Sequence, residues 1–361
     1  MKENKVLAPL DTAWFDENPE KYFSRNDFIQ FQEIAKVDLR NLISKNPEIV
    51  RATQKKLTKQ SVVGNELQKQ PLGYEFPFIV YTHSFKLFEK IPHHNPELDK
   101  IILALDMSDS LRRRHIALSH SIIPNAIKEL SENQKHPIVI KNLGSGVGLD
   151  IINALQNTEG TVEKVLNYDT NAESIQLGRE MTGFLENRNE LRKGIIEYYE
   201  KDFIYSKEPA DIIIRAGIIC VLRNRLAKHL LTIDYKQLKS AGKLIVTSSN
   251  YHMRSTDPLS SFLIQHMGTR DNPYCGLGLN FRYKDTMYEI LDKSGFTDIQ
   301  IYDDANYPGK ETLPEKLLNN VDSLPARVKG YHHDGFPLRI PSKEILDRGI
   351  GYNWIAIGTK K

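Results

Sequence analysis

Hydrophobic and polar residues follow two different patterns along the chain, and the pattern changes near residue 136. Before that point the apolar residues recur at helical spacing, as in the amphipathic stretch 28–43. Asn46-Pro47 and Asn95-Pro96 are typical of helix starts, because asparagine caps a helix and proline suits its first position. We therefore predict a helical accessory domain over residues 1–135.

Aromatic side chains are concentrated in one part of this helical region. The cluster consists of Tyr74, Phe76, Phe78, Tyr81, Phe85 and Phe88. Plain core packing is the first interpretation of these large side chains, and the lining of a substrate chamber or of a homodimer interface is the alternative.

The stretch Ser110–Asn133 also has a helical pattern, which we expect to break or kink at Pro124, because a proline ring does not fit an unbroken helix. It contains the basic run Arg112-Arg113-Arg114-His115. We interpret this run as a solvated helix face, with phosphate contacts as the alternative.

From residue 137 onward, short apolar runs alternate with helical stretches, which is typical of a parallel sheet covered by helices. Strands are predicted near residues 137–143, 162–169, 194–202, 210–217, 242–249, 297–303 and 353–359. Helices are predicted at 148–157, 171–187, 223–240 and 284–294. We expect Gly242 to take a left-handed conformation after the third helix and Gly295 to end the fourth.

A long connection, residues 304–351, separates the last two predicted strands. Structureless loops of this length are uncommon unless they have a role. We predict that this insertion folds over the active-site edge of the sheet; a surface excursion with its own small core is the alternative.

Composition and charge narrow the class of protein. The chain is 40% hydrophobic and 26% charged, which is ordinary for a folded protein with a sizeable core. A net charge of only +3 argues against a dedicated nucleic-acid partner. No apolar run is long enough for a membrane span, and two distant cysteines fit a reducing compartment, so we expect a cytoplasmic protein.

The clearest chemical signal is the glycine-rich turn from Asn142 to Gly148, which joins a predicted buried strand to a helix. Glycines allow the backbone to approach a ligand closely and tolerate positive φ. Asp169 ends the second predicted strand, where a carboxylate can accept hydrogen bonds from both hydroxyls of a ribose. Together these two features predict a nucleotide-like ligand at the carboxyl edge of the sheet.

Two further features fall on the same edge. Asp202 and Phe203 end the third predicted strand and are suited to bonding an adenine amino group and stacking on its ring. Ala216 and Gly217 form a small-residue turn after the fourth strand.

In this order of motifs, the sequence from Pro137 to Lys361 resembles the class I S-adenosylmethionine-dependent methyltransferases. The resemblance implies an α/β fold with a Rossmann-like, mostly parallel sheet of seven strands and an antiparallel last strand, over residues 136–361. It implies S-adenosylmethionine as the cofactor and S-adenosylhomocysteine as the product. The cofactor-binding residues it implies are Gly144, Ser145, Gly146, Gly148, Asp169, Thr170, Asp202, Phe203, Ala216 and Gly217. Asn142 departs from the family, which usually has an acid at this position.

The methyl-transfer step leaves few traces in a sequence, because it needs mainly alignment and, for a protonated nucleophile, a base. We expect His252 and His333 to be the catalytic candidates. No metal site is expected, since adjacent residues such as His332, His333 and Asp334 rarely point at one ion.

We predict methyl transfer to an oxygen or nitrogen atom of a small-molecule acceptor. A non-catalytic cofactor-binding or scaffolding protein and an RNA or protein methyltransferase remain as alternatives. A nicotinamide-dependent oxidoreductase is disfavoured, because its Gly-x-Gly-x-x-Gly motif would require glycine where Leu149 stands.

Overall fold

The computed structural model describes residues 55–69, 73–82, 91–103, 105–134, 136–158, 161–202, 208–251, 253, 280–310 and 351–361. The predicted amphipathic stretch 28–43 and the helix start at Asn46-Pro47 lie outside these residues. None of the helices within the described ranges is long and apolar enough to cross a membrane.

The described part of the first 135 residues is helical, as predicted. Its helices are α1 (Val62–Lys69), α2 (Glu75–Thr82), α3 (Pro96–Leu103), α4 (Asp106–Ala117) and α5 (Ile123–Asn133), and residues 55–60 are helical as well. The predicted helix start at Asn95-Pro96 is confirmed: Asn95 Oδ1 accepts a hydrogen bond from the Glu97 amide at 3.1 Å, as a capping side chain does.

The helical stretch around Pro124 is interrupted where the sequence predicted. A π-helical segment, Leu118–Ile122, joins α4 to α5, and Pro124 lies in the first turn of α5. Proline lacks an amide hydrogen and crowds the preceding turn, which a wider π-helical turn relieves. The helix begins earlier than predicted, at Asp106 instead of Ser110.

The rest of the described chain forms one sheet of seven strands. The strands are β1 (Ile138–Leu143), β2 (Val162–Asp169), β3 (Ile196–Glu200), β4 (Ala210–Arg215), β5 (Leu238–Ser249), β6 (Thr297–Asp303) and β7 (Asn353–Thr359). Their order is β3-β2-β1-β4-β5-β7-β6, with β7 antiparallel to both of its neighbours and the other pairs parallel. The predicted fold class is therefore confirmed.

Helices cover both faces of the sheet. They are α6 (Leu149–Gln156), α7 (Ala172–Asn187), α8 (Asn224–Gln237) and α9 (Lys284–Asp292). Successive side chains of a strand point to opposite faces. Ile138 and Ile140 of β1 accordingly pack in the hydrophobic cluster with α5, α6 and α7, whereas Val139 and Leu143 pack in the cluster with α8 and α9.

One boundary prediction is wrong. The helix predicted to reach Ser240 ends at Gln237, and β5 begins at Leu238, where it pairs with β4. The residue with a left-handed conformation is Ala241, with φ of 59°, whereas Gly242 does not have a positive φ. Gly242 is instead a place of close approach, because a Cβ there would lie 2.8 Å from the Lys239 carbonyl oxygen.

A buried polar cluster joins the N-terminal helices to the sheet. Asp304, directly after β6, is fully buried and accepts hydrogen bonds from Ser110 Oγ of α4 and, at 3.2 Å, from the Asn353 amide of β7. Arg113 Nε lies 3.5 Å from the Asp304 carboxylate. The division into domains at residue 136 stays a prediction, and α4 packs directly on the sheet across it.

Candidate active site

A cavity of about 620 Å³ lies between the carboxyl ends of the strands and the N-terminal helices. On the sheet side it is lined by the loop after β1, by Asp169, Thr170 and Asn171 after β2, and by Ala216, Gly217 and Ile218 after β4. On the other side it is lined by residues of α2 and α4. We refer to these two sides as the sheet half and the helical half.

The glycine-rich turn is held in an unusual backbone conformation. Gly144, Gly146 and Gly148 have φ of 68°, 52° and 82°, a region that favours glycine. The Gly144 and Ser145 amides donate to the Tyr168 carbonyl at 2.8 and 3.0 Å, which ties the turn to the end of β2. A Cβ on Gly144 would clash with Ile218 Cδ1, so the Ile218 side chain fills the space that a larger residue would need at this position.

Asp169 lies at the centre of the sheet half. Its Oδ2 accepts the Gly146 amide at 2.6 Å, and its Oδ1 accepts the Asn171 amide at 2.9 Å. These bonds fix the carboxylate at the cavity edge, and each oxygen keeps a further lone pair for a ligand hydroxyl. Both oxygens can therefore accept a hydrogen bond from a ligand hydroxyl at the cavity edge.

The turn after β4 completes the sheet half. Gly217 has φ of 81°, and its amide donates to Thr247 Oγ1 of β5 at 2.8 Å.

Asn142, at the position where the family has an acid, is buried and lines the cavity.

The structure brings together most of the predicted cofactor residues but not all of them. Gly144, Ser145, Gly146, Gly148, Asp169, Thr170, Ala216 and Gly217 line the cavity. Asp202 follows β3 and is half-buried, but it is not among the residues that line the cavity. Phe203 lies outside the described residues, as do the catalytic candidates His252 and His333.

The helical half has an aromatic wall, formed by Tyr74, Phe76, Phe78 and Tyr81. Tyr74 and Phe78 meet edge to face at 6.5 Å, and the Tyr81 ring stacks on that of His115 at 4.7 Å. Phe76, Phe78 and Tyr81 also belong to a hydrophobic core cluster. Chamber lining and core packing thus occur together; Phe85 and Phe88 lie outside the described residues.

The basic run on α4 is buried, so the interpretation as a solvated face is wrong. Arg112, Arg113, Arg114 and His115 are each at most 7% exposed. Arg112 donates to Asp109 Oδ1 at 2.6 Å, and His115 Nδ1 lies 2.5 Å from Asp150 Oδ1. Successive helical residues point about 100° apart, so four consecutive charged residues occupy the whole circumference of a helix. That spacing was the signal that the run is not one solvated face.

Several polar residues that line the cavity were not predicted as site residues, among them Ser110, Arg114 and Asn353. Asn353 Nδ2 donates to Ser110 Oγ at 2.7 Å, although the two residues are far apart in the chain. No local motif marks such a pair, because only the packing of α4 on β7 brings its members together.

Burial raises the pKa values of two groups beside the cavity. It raises the pKa of the Tyr81 hydroxyl to about 12 and also raises the pKa of the Cys220 thiol. Both side chains stay neutral well above physiological pH.

A buried carboxyl group also lies beneath the aromatic wall. Burial raises the pKa of the Glu75 carboxyl to about 7, with contributions from the carboxylates of Glu66 and Asp169. Glu75 Oε2 makes no hydrogen bond with any residue that the structure describes.

The strand order with an antiparallel last strand is the fold of the class I methyltransferases. No protein-family model matches the sequence, and no curated protein matches it. Among solved structures, a protein from Bordetella parapertussis described as a possible exported protein is similar over 95% of this chain and 99% of its own, with a TM-score of 0.55 and 13% identity. At that identity the similarity shows a shared fold.

Two structures of named enzymes are similar at lower TM-scores. Magnesium protoporphyrin IX methyltransferase from Synechocystis PCC 6803, with bound SAM, is 10% identical over 72% of this chain and 85% of its own, with a TM-score of 0.41. Human N-acetylserotonin methyltransferase, in complex with SAM, is 14% identical over 84% of this chain and 71% of its own, with a TM-score of 0.40.

Proposed function

We propose that the protein transfers a methyl group from S-adenosylmethionine to an oxygen or nitrogen atom of a small molecule. One observation carries this proposal: a single cavity joins a glycine turn and a ribose-type carboxylate to an aromatic wall. One half of the cavity thus suits a nucleoside cofactor, and the other half suits an apolar acceptor.

The sheet half suits the cofactor residue by residue. The backbone at Gly144, Gly146 and Gly148 would lie alongside the methionine part of the cofactor, and Asp169 would bind the ribose. Asp202 and Phe203 are proposed for the adenine. When bound, the cofactor supplies an electrophilic methyl group; the chain's own residues bind it, orient the acceptor and exclude water.

The helical half suits a small acceptor better than a polymer. Its wall is aromatic, and residues of α2 and α4 line the cavity opposite the glycine turn. Methyl transfer depends on alignment of the nucleophile with the methyl group, which a wall that holds the acceptor in place promotes. His252 and His333 remain the proposed bases for a nucleophile that carries a proton.

Three further expectations from the sequence stay predictions. They are a homodimer formed by the N-terminal helices, an insertion at residues 304–351 that folds over the active-site edge of the sheet, and a cytoplasmic location. A non-catalytic cofactor-binding protein is the second candidate function, since it would share the sheet half. An RNA or protein methyltransferase is less well supported, because the wall opposite the cofactor half is aromatic and apolar.

Calorimetric titration with S-adenosylhomocysteine, combined with product detection, tests the proposal. We expect the wild-type protein to bind it, and Asp169→Ala to lower the affinity about tenfold or more, because charge-assisted hydrogen bonds to the ribose are lost. Asp292→Ala, an exposed carboxylate on α9, is the matched control and should bind as wild type.

A screen of small acids, phenols and amines for release of S-adenosylhomocysteine then separates an enzyme from a binding protein. Cofactor binding without turnover on any of these acceptors favours the non-catalytic candidate. Equal affinity of wild type and Asp169→Ala would remove Asp169 from the cofactor site.

A further inference from the structure

Arg114 presents a buried cation to the cavity. The side chain is 7% exposed, and it is the one basic residue among the described residues that line the cavity. Its Nη1 and Nη2 lie 3.6 and 3.8 Å from the point where a Cβ on Gly217 would stand. The guanidinium therefore lies between the aromatic wall and the turn after β4, where the two halves meet.

The partners of Arg114 differ from those of its two neighbours on α4. Arg112 lies 2.6 Å from the Asp109 carboxylate, and Arg113 lies 3.5 Å from that of Asp304. For Arg114, the described residues supply no carboxylate within 4.0 Å. Its Nη2 donates to the Tyr81 hydroxyl at 2.8 Å, and its Nε has no hydrogen-bond partner among the residues that the structure describes.

Among the described residues, the groups around Arg114 supply no counterion in direct contact with it. The Tyr81 hydroxyl and the Cys220 thiol are neutral groups whose pKa values are raised further by burial. Asp150 also lines the cavity and acts on Arg114 through space, but its carboxylate is in contact with His115 Nδ1 at 2.5 Å. Burying a charge away from a counterion is costly, and an anionic ligand offsets that cost when it enters the cavity.

We propose that Arg114 binds a carboxylate, or an anionic group of the same shape, on the ligand that fills this cavity. A guanidinium binds a planar carboxylate through charge-assisted hydrogen bonds from two of its nitrogens, and Nη1 and Nη2 are the nitrogens that lie beside the Gly217 turn of the cavity. The inference rests on the proposed function, because two ligands bring the same chemistry to this place. One source is an aromatic or other apolar acid as acceptor, and the other is the methionyl carboxylate of the cofactor.

Two pairs of probes, each a carboxylate and its counterpart without the charge, distinguish the sources. S-adenosylhomocysteine is compared with its decarboxylated form, and 2-naphthoate is compared with 2-naphthamide, with and without S-adenosylhomocysteine. Affinities are measured by calorimetry for wild type, Arg114→Gln and Arg114→Lys. Arg188→Gln, which removes the same charge from an exposed residue, is the control.

We expect wild type to prefer the carboxylate of at least one pair about tenfold or more, and Arg114→Gln to lose that preference. Arg114→Lys should keep part of this preference, because the lysine ammonium keeps the positive charge but lacks the paired donors of the guanidinium. Loss within the first pair assigns the cofactor carboxylate, and loss within the naphthyl pair assigns an acidic acceptor.

The inference is overturned if wild type shows no preference in either pair, or if Arg114→Gln keeps the wild-type preferences. The wild-type comparison needs no variant, so it stands even if Arg114→Gln does not fold. Failure of the proposed function gives a different result from failure of this inference. In that case S-adenosylhomocysteine does not bind the wild-type protein, and the naphthyl pair still tests whether Arg114 binds a carboxylate.

Discussion

The two halves of the cavity are built in different ways. The sheet half consists mainly of the turns that follow β1, β2 and β4, together with the carboxylates of Asp150 and Asp169. The helical half consists of side chains from α2 and α4, and it is attached to the sheet through Asp304 and Asn353.

This difference has a physical consequence. Backbone groups at strand ends are fixed by the hydrogen bonds of the sheet. The sheet half therefore depends on a few positions, such as the glycines of its turns, where substitutions are poorly tolerated. Side chains on packed helices are fixed by packing and by buried hydrogen bonds, so the helical half depends on contacts between distant parts of the chain.

The largest expected effect comes from cutting the contact that holds the two halves together. Asp304→Ala removes the carboxylate beside Arg113 and the acceptor of Ser110 Oγ. We expect the free energy of unfolding, measured in urea, to fall by about 3 kcal/mol, as for other broken buried pairs.

Asp303→Ala is the matched control, because its carboxylate accepts hydrogen bonds only from the nearby residues Ala305 and Asn306 among those described, and lies outside the α4 contact. It should cost about 1 kcal/mol. Equal losses in the two variants would show that Asp304 does not join the halves.

A smaller effect concerns Glu75, whose buried carboxyl lies on the helical side close to Asp169. Its folded pKa of about 7 lies above the ordinary value of 4.5, so the folded state keeps a proton that the unfolded chain has released. Stability therefore falls as pH rises from 4.5 through about 7. Glu75→Gln removes this loss.

Urea unfolding at about pH 5 and about pH 8 measures the effect. Between these values we expect the variant to gain about 2 kcal/mol of stability relative to wild type, somewhat less than the full shift implies. Glu163→Gln, at an exposed position of β2, should show no such change. A constant difference between Glu75→Gln and wild type across the range contradicts the assignment.

The smallest expected effect is on cofactor affinity and comes from adding a side chain to the glycine turn of the sheet half. Gly144→Ala places a Cβ at φ of 68° and against Ile218. We expect affinity for S-adenosylhomocysteine to fall about tenfold, because the turn must shift from its ligand-binding conformation.

Gly194→Ala is a close control, with φ of 69° and no atom within 4 Å of the added Cβ. It carries the same strain away from the cavity and should bind as wild type. If the two glycine variants bind equally well, the conformation of the turn does not matter for the ligand.

The sequence predicted the sheet and its order of elements because their signals are local. A buried strand, a glycine turn and an acid at the next strand end are each visible in a few residues, and a parallel sheet places them on one edge. Boundaries were less accurate where a strand extends beyond its buried run. β5 begins at Leu238 because it pairs with β4 there, which the helical pattern up to Ser240 concealed.

The sequence by itself therefore determined the sheet, the glycine turn and the place of Asp169, since backbone geometry at strand ends follows from neighbouring residues. Only the tertiary structure decided the fate of the basic run on α4. Arg112, Arg113 and Arg114 are chemically identical, yet Arg112 and Arg113 lie beside carboxylates and Arg114 faces the cavity. Which carboxylate meets which arginine depends on the packing of α4 against β7 and the residues after β6, and no local pattern encodes that packing.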